Sequence, residues 1–216
     1  MKRFAHWVFD LDGTVLDSSR FYELTLKEIL PEFGITPGKE EINRAYKYFN
    51  PDDYFATFGF DAAKIKYAVQ RLVAKNMEYA DQIPAYEGIE NLLVYLIDRD
   101  VEVTAWTGRE LLSATKILDS TGLRKHFKTC VGRTCVTKNK PHPDGLLKIL
   151  SDFNRHSDDV VMIGDHEYDM RGAQAAKVTG ISVNWEGRVK PHVQSLAAHH
   201  FDKVAELHRW ATNIYG

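Results

Sequence analysis

Phe9-Asp10-Leu11-Asp12-Gly13-Thr14 sets two carboxylates two residues apart where a short apolar run, residues 5–9, ends in a sharp turn. Side chains alternate faces along a strand, so Asp10 and Asp12 project to the same side. Two acids confined to one small volume repel each other, and ordinary cores avoid the arrangement. It becomes useful when a divalent cation sits between them, or when one acid is a nucleophile and the other a proton shuttle. Gly13 permits positive φ and a close approach of backbone to ligand, and Thr14 adds a hydroxyl at the turn. Alone, the stretch reads more readily as a strand running into a solvated acidic turn. Its surroundings decide between the two.

Working outward, the same succession of apolar run, polar or Gly-containing turn and helical pattern recurs. Residues 101–106 form a second strand, followed by a helix over about 110–120. A weaker strand lies near 129–131, and a strong one at 160–163 leads into a helix over about 168–177. Further strands are expected at 181–184 and near Phe201. Such alternation predicts an α/β fold, a Rossmann-like, mostly parallel sheet flanked by helices. In such sheets ligands bind beyond the carboxyl ends of the strands.

Residues 17–83 interrupt that rhythm. Phe21, Leu24, Ile29, Leu30 and Phe33 follow helical spacing, as do Ile65, Ala68, Val69, Leu72 and Val73 within a long run over 61–80. Pro31, Gly34, Pro37, Gly38, Pro51 and Gly59 divide the segment into several helices. The strand–helix rhythm returns after Pro84 and Gly88, with 89–97 helical. The reading is therefore an α/β core of residues 1–16 and 84–216 with an all-helical domain, 17–83, inserted after the first strand. Residues 17–19 and 82–86 are the expected hinges.

Composition narrows the function classes. The chain has 216 residues, 44% of them hydrophobic and 27% charged, an ordinary globular balance. Twenty-eight Lys and Arg against thirty Asp and Glu give a formal net charge of −2, which supplies no general attraction to nucleic acid or anionic membrane. No apolar run approaches the length of a membrane span, and the first residues lead into a strand with no signal-peptide pattern. A cytoplasmic protein is expected. Cys130 and Cys135 match neither a redox nor a zinc spacing and read as reduced structural thiols.

Three further strand ends carry polar groups. Trp106-Thr107-Gly108-Arg109 offers a hydroxyl and exposed backbone N–H groups ahead of a helix, which suits an anion. Lys140 stands in Lys140-Pro141-His142-Pro143, where the prolines stiffen the backbone beyond the lysine. In Gly164-Asp165-His166-Glu167-Tyr168-Asp169, two acids four residues apart follow the strand at 160–163. They form an oxygen-rich pair suited to Mg²⁺ if the turn brings them together. Alternatively Asp165 caps the helix while Asp169 complements its dipole. Each group has such a structural explanation, but four of them at separate strand ends on one sheet edge favour a common site.

In this order, Asp10/Asp12 followed by Gly13-Thr14, Thr107, Lys140 before Pro141, and Asp165/Asp169, the chain resembles the haloacid dehalogenase-like superfamily. The resemblance covers nearly the whole sequence, since the helical insertion is similar to the family's helical cap. It implies Mg²⁺ held by Asp10, the backbone carbonyl of Asp12, and Asp165, with Asp169 as ligand or support. It further implies Asp10 as nucleophile, Asp12 as proton donor and acceptor, and Thr107, Gly108 and Lys140 around a phosphoryl group. Relatives that cleave carbon–halogen or carbon–phosphorus bonds lack an acid two residues after the nucleophile, so Asp12 implies phosphoryl transfer.

The expected activity is that of a phosphatase on a small phosphorylated metabolite, working through an aspartyl-phosphate. A β-phosphoglucomutase-like phosphotransferase is the alternative. A phospho-acceptor receiver would place its aspartate on a middle strand and lack the insertion, and an inactive binding protein would not need the full set of groups. In relatives the cap closes over the site and sets specificity. The candidates for contacting substrate are Arg20, Arg44 and Tyr48, with Tyr22, Glu23, Lys47, Asn50 and Asp53 nearby in sequence, and Arg109, Arg133 and His166 in the core. Residues 46–53 lack the Gly-x-Pro-like loop of many phosphoglycolate phosphatase relatives, and His166 stands where Thr or Ser is commoner.

Overall fold

The computed structural model describes residues 2–48, 50–187 and 189–216. Residue 49, within the 46–53 segment, lies outside them. In chain order the elements are β1 (His6–Phe9), α1 (Ser19–Ile29), α2 (Lys39–Ala45), α3 (Pro51–Ala56), α4 (Ala62–Glu78), α5 (Ile89–Ile97), β2 (Glu102–Trp106), α6 (Leu111–Ser120), β3 (Cys130–Val131), α7 (Asp144–Asp152), β4 (Val160–Gly164), α8 (Glu167–Ala175), β5 (Thr179–Val183), α9 (Pro191–Leu196), β6 (His199–Phe201) and α10 (Val204–Tyr215). The chain divides into two compact units, Met1–Asp17 with Pro84–Gly216, and Ser18–Ile83.

The first unit is built on a six-stranded sheet in the order β3-β2-β1-β4-β5-β6. Among the described residues every pairing in it is parallel, so the sheet is an α/β Rossmann-like one. β1 is central and fully buried, which is why it reads as a continuous apolar run instead of an alternating one. Val8 belongs to a cluster with Trp106, Met162, Leu146, Ile149 and Ala173. Trp7 turns the other way, onto Trp210 and Tyr215 of α10. Its indole N–H donates to the Tyr215 hydroxyl at 2.8 Å, and that hydroxyl donates to the Phe4 carbonyl at 2.6 Å.

Register decides where the site lies. Phe9 is level with Ala105 of β2 and with Ile163 of β4. The residues that follow these three strands therefore emerge side by side. After β1 the chain adds β2 and β3 on one side, then crosses to add β4, β5 and β6 on the other. This reversal beside β1 is the topological switch point at which open α/β sheets form their ligand crevice.

Helices α7, α9 and α10 were not evident from the sequence pattern. α7 follows the Lys140–Pro141 turn, where the prolines mask its start. α9 spans only Pro191–Leu196, too short to establish a period, and α10 mixes polar residues and aromatics around Leu207, Ala211 and Ile214. Among the described residues no helix is long and apolar enough to cross a membrane.

The second unit, taken by itself, is all helical among its described residues, α1 to α4. Its core gathers Leu26, Ile29, Leu30, Tyr54, Phe55, Ala68 and Leu72. Asp61 caps α4 by accepting the Lys64 N–H at 2.8 Å, and Asn50 caps α3, whose first residue is Pro51. In the first unit, the segments that lead to and from this insertion are joined to each other. Leu16 bridges Ala85 in antiparallel fashion, Asp17 N–H donates to the Pro84 carbonyl at 2.9 Å, and Tyr86 N–H donates to the Val15 carbonyl at 3.0 Å.

Candidate active site

Beyond Phe9 the chain extends β1 by one bond, Asp10 N–H to the Ile163 carbonyl at 2.8 Å, and then coils tightly. The Leu11 carbonyl accepts from the N–H groups of Thr14, Val15 and Leu16. Gly13 sits in this coil with φ +75°, and a Cβ there would run into the Asp165 carboxylate. The position requires glycine both for its backbone and for the closeness of the β1 and β4 loops.

Asp10 is buried and lies 2.6 Å from the Lys140 ammonium. Lys140 is itself buried, and its other acceptors are Asp169 Oδ1 at 2.5 Å and the Trp106 carbonyl at 2.7 Å. Its ammonium also lies 4.6 Å from the centre of the Trp106 ring. That ring is held by close packing. A Cβ on Gly172 would stand 2.5 Å from it, and Gly145 likewise admits the indole only by lacking one. Burial alone would pull the lysine's pKa down, but Asp10 and Asp169 outweigh that effect and raise it. The ammonium stays charged.

Oxygens of Asp10, Asp165 and Asp169 lie within 4.8 Å of one another. Burial pushes the Asp10 carboxyl up to about 7, opposed by Lys140 and reinforced by Asp169 and Asp12. Asp165 is also raised well above the carboxylate range, by burial first and then by Asp10 and Asp169, although it keeps a partly open face. Three acids around one ammonium leave surplus negative charge. An all-oxygen donor set of this kind fits a hard divalent cation such as Mg²⁺. The Asp12 side chain is not part of this cluster.

Thr107 follows β2, buried, and its hydroxyl accepts the Arg109 N–H at 3.2 Å. Gly108 is half-buried between them. The Arg109 side chain does not stand free for an anion as the sequence suggested. Its Nε lies 2.7 Å from Asp12 Oδ2, and its Nη2 lies 2.5 Å from Asp12 Oδ1, a two-toothed ion pair. This pair was not legible in the sequence, because the two residues meet only through the β1–β2 register.

His166 is a structural cap in this fold. Its Nδ1 accepts the Tyr168 N–H at 3.2 Å, and its own N–H donates to Asp169 Oδ2 at 3.0 Å. The cap of α8 is thus His166 and not Asp165, and Asp169 closes the reciprocal bond. Arg133 is half-buried, its N–H donating to the Arg109 carbonyl at 2.8 Å. In the helical unit Arg20 and Tyr48 are exposed, whereas Arg44 is engaged by Glu40 at 3.2 Å and lies over the Phe58 ring. Tyr22 meets Tyr46 edge-on, and the Tyr46 hydroxyl reaches Glu23 at 3.4 Å.

Residues 7–183 match the family model for haloacid dehalogenase-like hydrolases. The chain is 24% identical over 201 residues to the pyrophosphatase PpaX of Oceanobacillus iheyensis, covering 92% of this chain and 91% of that one. A predicted phosphatase from Clostridium acetobutylicum is similar in structure, with a TM-score of 0.85 at 25% identity, covering 98% of this chain and all (100%) of that one. A haloacid dehalogenase-like hydrolase from Streptococcus pneumoniae also superposes with a TM-score of 0.85, at 20% identity, over 98% of this chain and 100% of the other. With the family match running from β1 to the end of β5, the chain belongs to the haloacid dehalogenase-like hydrolase family.

Proposed function

We propose that this protein is a Mg²⁺-dependent phosphatase that hydrolyses a small phosphorylated metabolite through a phosphoryl group carried on Asp10. The observation that carries this reading is the Asp10 carboxylate set against the buried Lys140 ammonium, beside Asp165 and Asp169, beyond the carboxyl end of β1. Mg²⁺, held by Asp10, Asp165, the Asp12 carbonyl and Asp169, would offset the repulsion between a carboxylate nucleophile and a phosphate dianion.

The chain's own groups carry the steps. An Asp10 oxygen attacks phosphorus, and the bond from phosphorus to the leaving oxygen breaks. Asp12 enters this step protonated and delivers that proton to the leaving oxygen. A water then attacks the phosphorus, Asp12 takes its proton, and inorganic phosphate leaves with Asp10 restored. Lys140 holds the nucleophile and adds positive charge, while the Thr107 hydroxyl and the Gly108 N–H receive phosphoryl oxygens as charge shifts. Arg20, Arg44 and Tyr48 are proposed to select substrate. The free thiols Cys130 and Cys135, the former with its pKa pushed by burial up to about 12, accord with a cytoplasmic setting.

The test is a phosphate-release screen with Mg²⁺ over many phosphorylated metabolites, inorganic pyrophosphate included because a relative carries that name. Asp10→Asn is the control. Selective release by the wild type and none by the variant supports the reading. Equal background from both on every compound overturns it.

A further inference from the structure

Arg109 stands out because its bonding contradicts its expected use. It lies one residue after Gly108, where a cation would ordinarily be assigned to the phosphate. Instead both edges of its guanidinium are engaged within the protein. One edge grips Asp12 with bonds of 2.7 Å and 2.5 Å, and Nη1 lies 3.5 Å from Ser113 Oγ on the first turn of α6.

The direction of exposure matters most. The guanidinium side chain is 11% exposed and the Asp12 side chain 37%. The carboxylate therefore faces outward with the arginine behind it, the reverse of what a phosphate-seeking arginine would show. The backbone under Arg109 is fixed as well. Its N–H is bound by the Thr107 hydroxyl, and its carbonyl by Arg133 N–H. A Cβ on Gly132 would stand 2.7 Å from that carbonyl and from Leu111 N, so the β2 and β3 loops meet with no room to shift. A planar fork on an anchored loop fixes both the position and the plane of a carboxylate, which a point-charge lysine does not.

We infer that Arg109 is a positioning residue for the proton-transfer group: it holds the Asp12 carboxylate in the plane from which the leaving oxygen is served, and does not itself bind the substrate phosphate. This rests on the phosphatase reading above, in which Asp12 serves that oxygen.

The test uses leaving groups that differ in their need for a proton. kcat/KM counts only steps through departure of the leaving group, so it isolates proton delivery from the later attack of water. Wild type, Arg109→Met and Arg109→Lys are compared on p-nitrophenyl phosphate, whose leaving group departs unaided, and on an alkyl ester. The alkyl ester is whichever of glycerol 2-phosphate, ethanolamine phosphate and glucose 6-phosphate the wild type turns over fastest. In Arg109→Met, kcat/KM is expected to fall about 30-fold or more on the alkyl ester and about threefold on the aryl ester, since a misplaced acid forfeits part of the roughly 10²–10⁴-fold that a positioned one supplies. Arg109→Lys keeps the cation without the fork, should show the same selectivity to a lesser degree, and carries the test if the methionine variant does not fold. In both variants the competitive inhibition constant of inorganic phosphate should stay within about twofold of wild type. A uniform loss on both esters with weakened phosphate inhibition would make Arg109 a phosphate ligand and overturn the inference, as would unchanged rates on both. A wild type inactive on every ester would instead remove the phosphatase reading beneath it.

Discussion

Lys140 is the residue on which the acids of the site depend. It is buried, it joins Asp10 to Asp169, and its third acceptor is a backbone carbonyl. Replacing it with methionine keeps the volume and removes the only cation bonded to both acids among the described residues. Without Mg²⁺, Lys140→Met should destabilise the fold by about 3 kcal/mol or more, the range seen when one member of a buried ion pair is removed. A urea melt in chelator checks this. Saturating Mg²⁺ should recover part of the loss, since a second source of positive charge then faces the same carboxylates, while turnover stays absent. Residue types and order made Asp10, Asp12, Thr107, Lys140, Asp165 and Asp169 readable as one group before any fold was known. Partners of long side chains were not readable. The meeting of Arg109 with Asp12 depends on where two loops stop, and the use of His166 as a cap depends on the turn angle into α8.

At the scale of elements, β1 carries a titratable group deep in the sheet. His6 is buried, bonded through Nε2 to Thr104 Oγ1 at 3.0 Å, with Nδ1 3.4 Å from Glu102 and the Phe153 ring edge-on to it. Burial pushes its pKa down to about 4, Glu102 opposes this, and Arg155 adds to it. Because the folded value lies below the unfolded one, the unfolded chain binds the extra proton between about pH 6.5 and 4. Stability from this group is fully present above pH 6.5 and is lost as pH falls toward 4, by roughly 3 kcal/mol in all. His6→Gln should flatten stability against pH by close to one proton over that window, as measured by denaturant melts at several pH values. A second element-scale prediction concerns the Trp106 ring. Gly172→Ala should destabilise by about 1–3 kcal/mol through overpacking, because the added methyl meets the indole. Strands were the legible elements, since a buried parallel strand is a short apolar run bounded by turns. The fit of Trp106 against glycines in α7 and α8 was not legible, because it joins residues far apart in sequence.

For the whole molecule, a cation that binds only the folded acid cluster must raise global stability. Mg²⁺ at a hundredfold excess over its Kd should add about 2.7 kcal/mol, read as a rise in Tm that Asp165→Asn removes. The parallel α/β architecture followed from alternation alone, whereas the reversal of strand order beside β1 required the pairing itself to be seen. Where the helical insertion leaves and rejoins the first unit, Asp17 and Pro84 are hydrogen-bonded neighbours. Replacing residues 18–83 with a short glycine linker should therefore leave an α/β unit that melts cooperatively and keeps its Mg²⁺ shift. The same adjacency gives the chain a socket. Any segment whose two ends can reach that pair of residues can be inserted without disturbing sheet order, and doubling the length of a flexible insert adds only about 0.6 kcal/mol of closure entropy. The helical part can thus be exchanged, lengthened or pared back while the strand order and the acid cluster beyond β1 stay as they are.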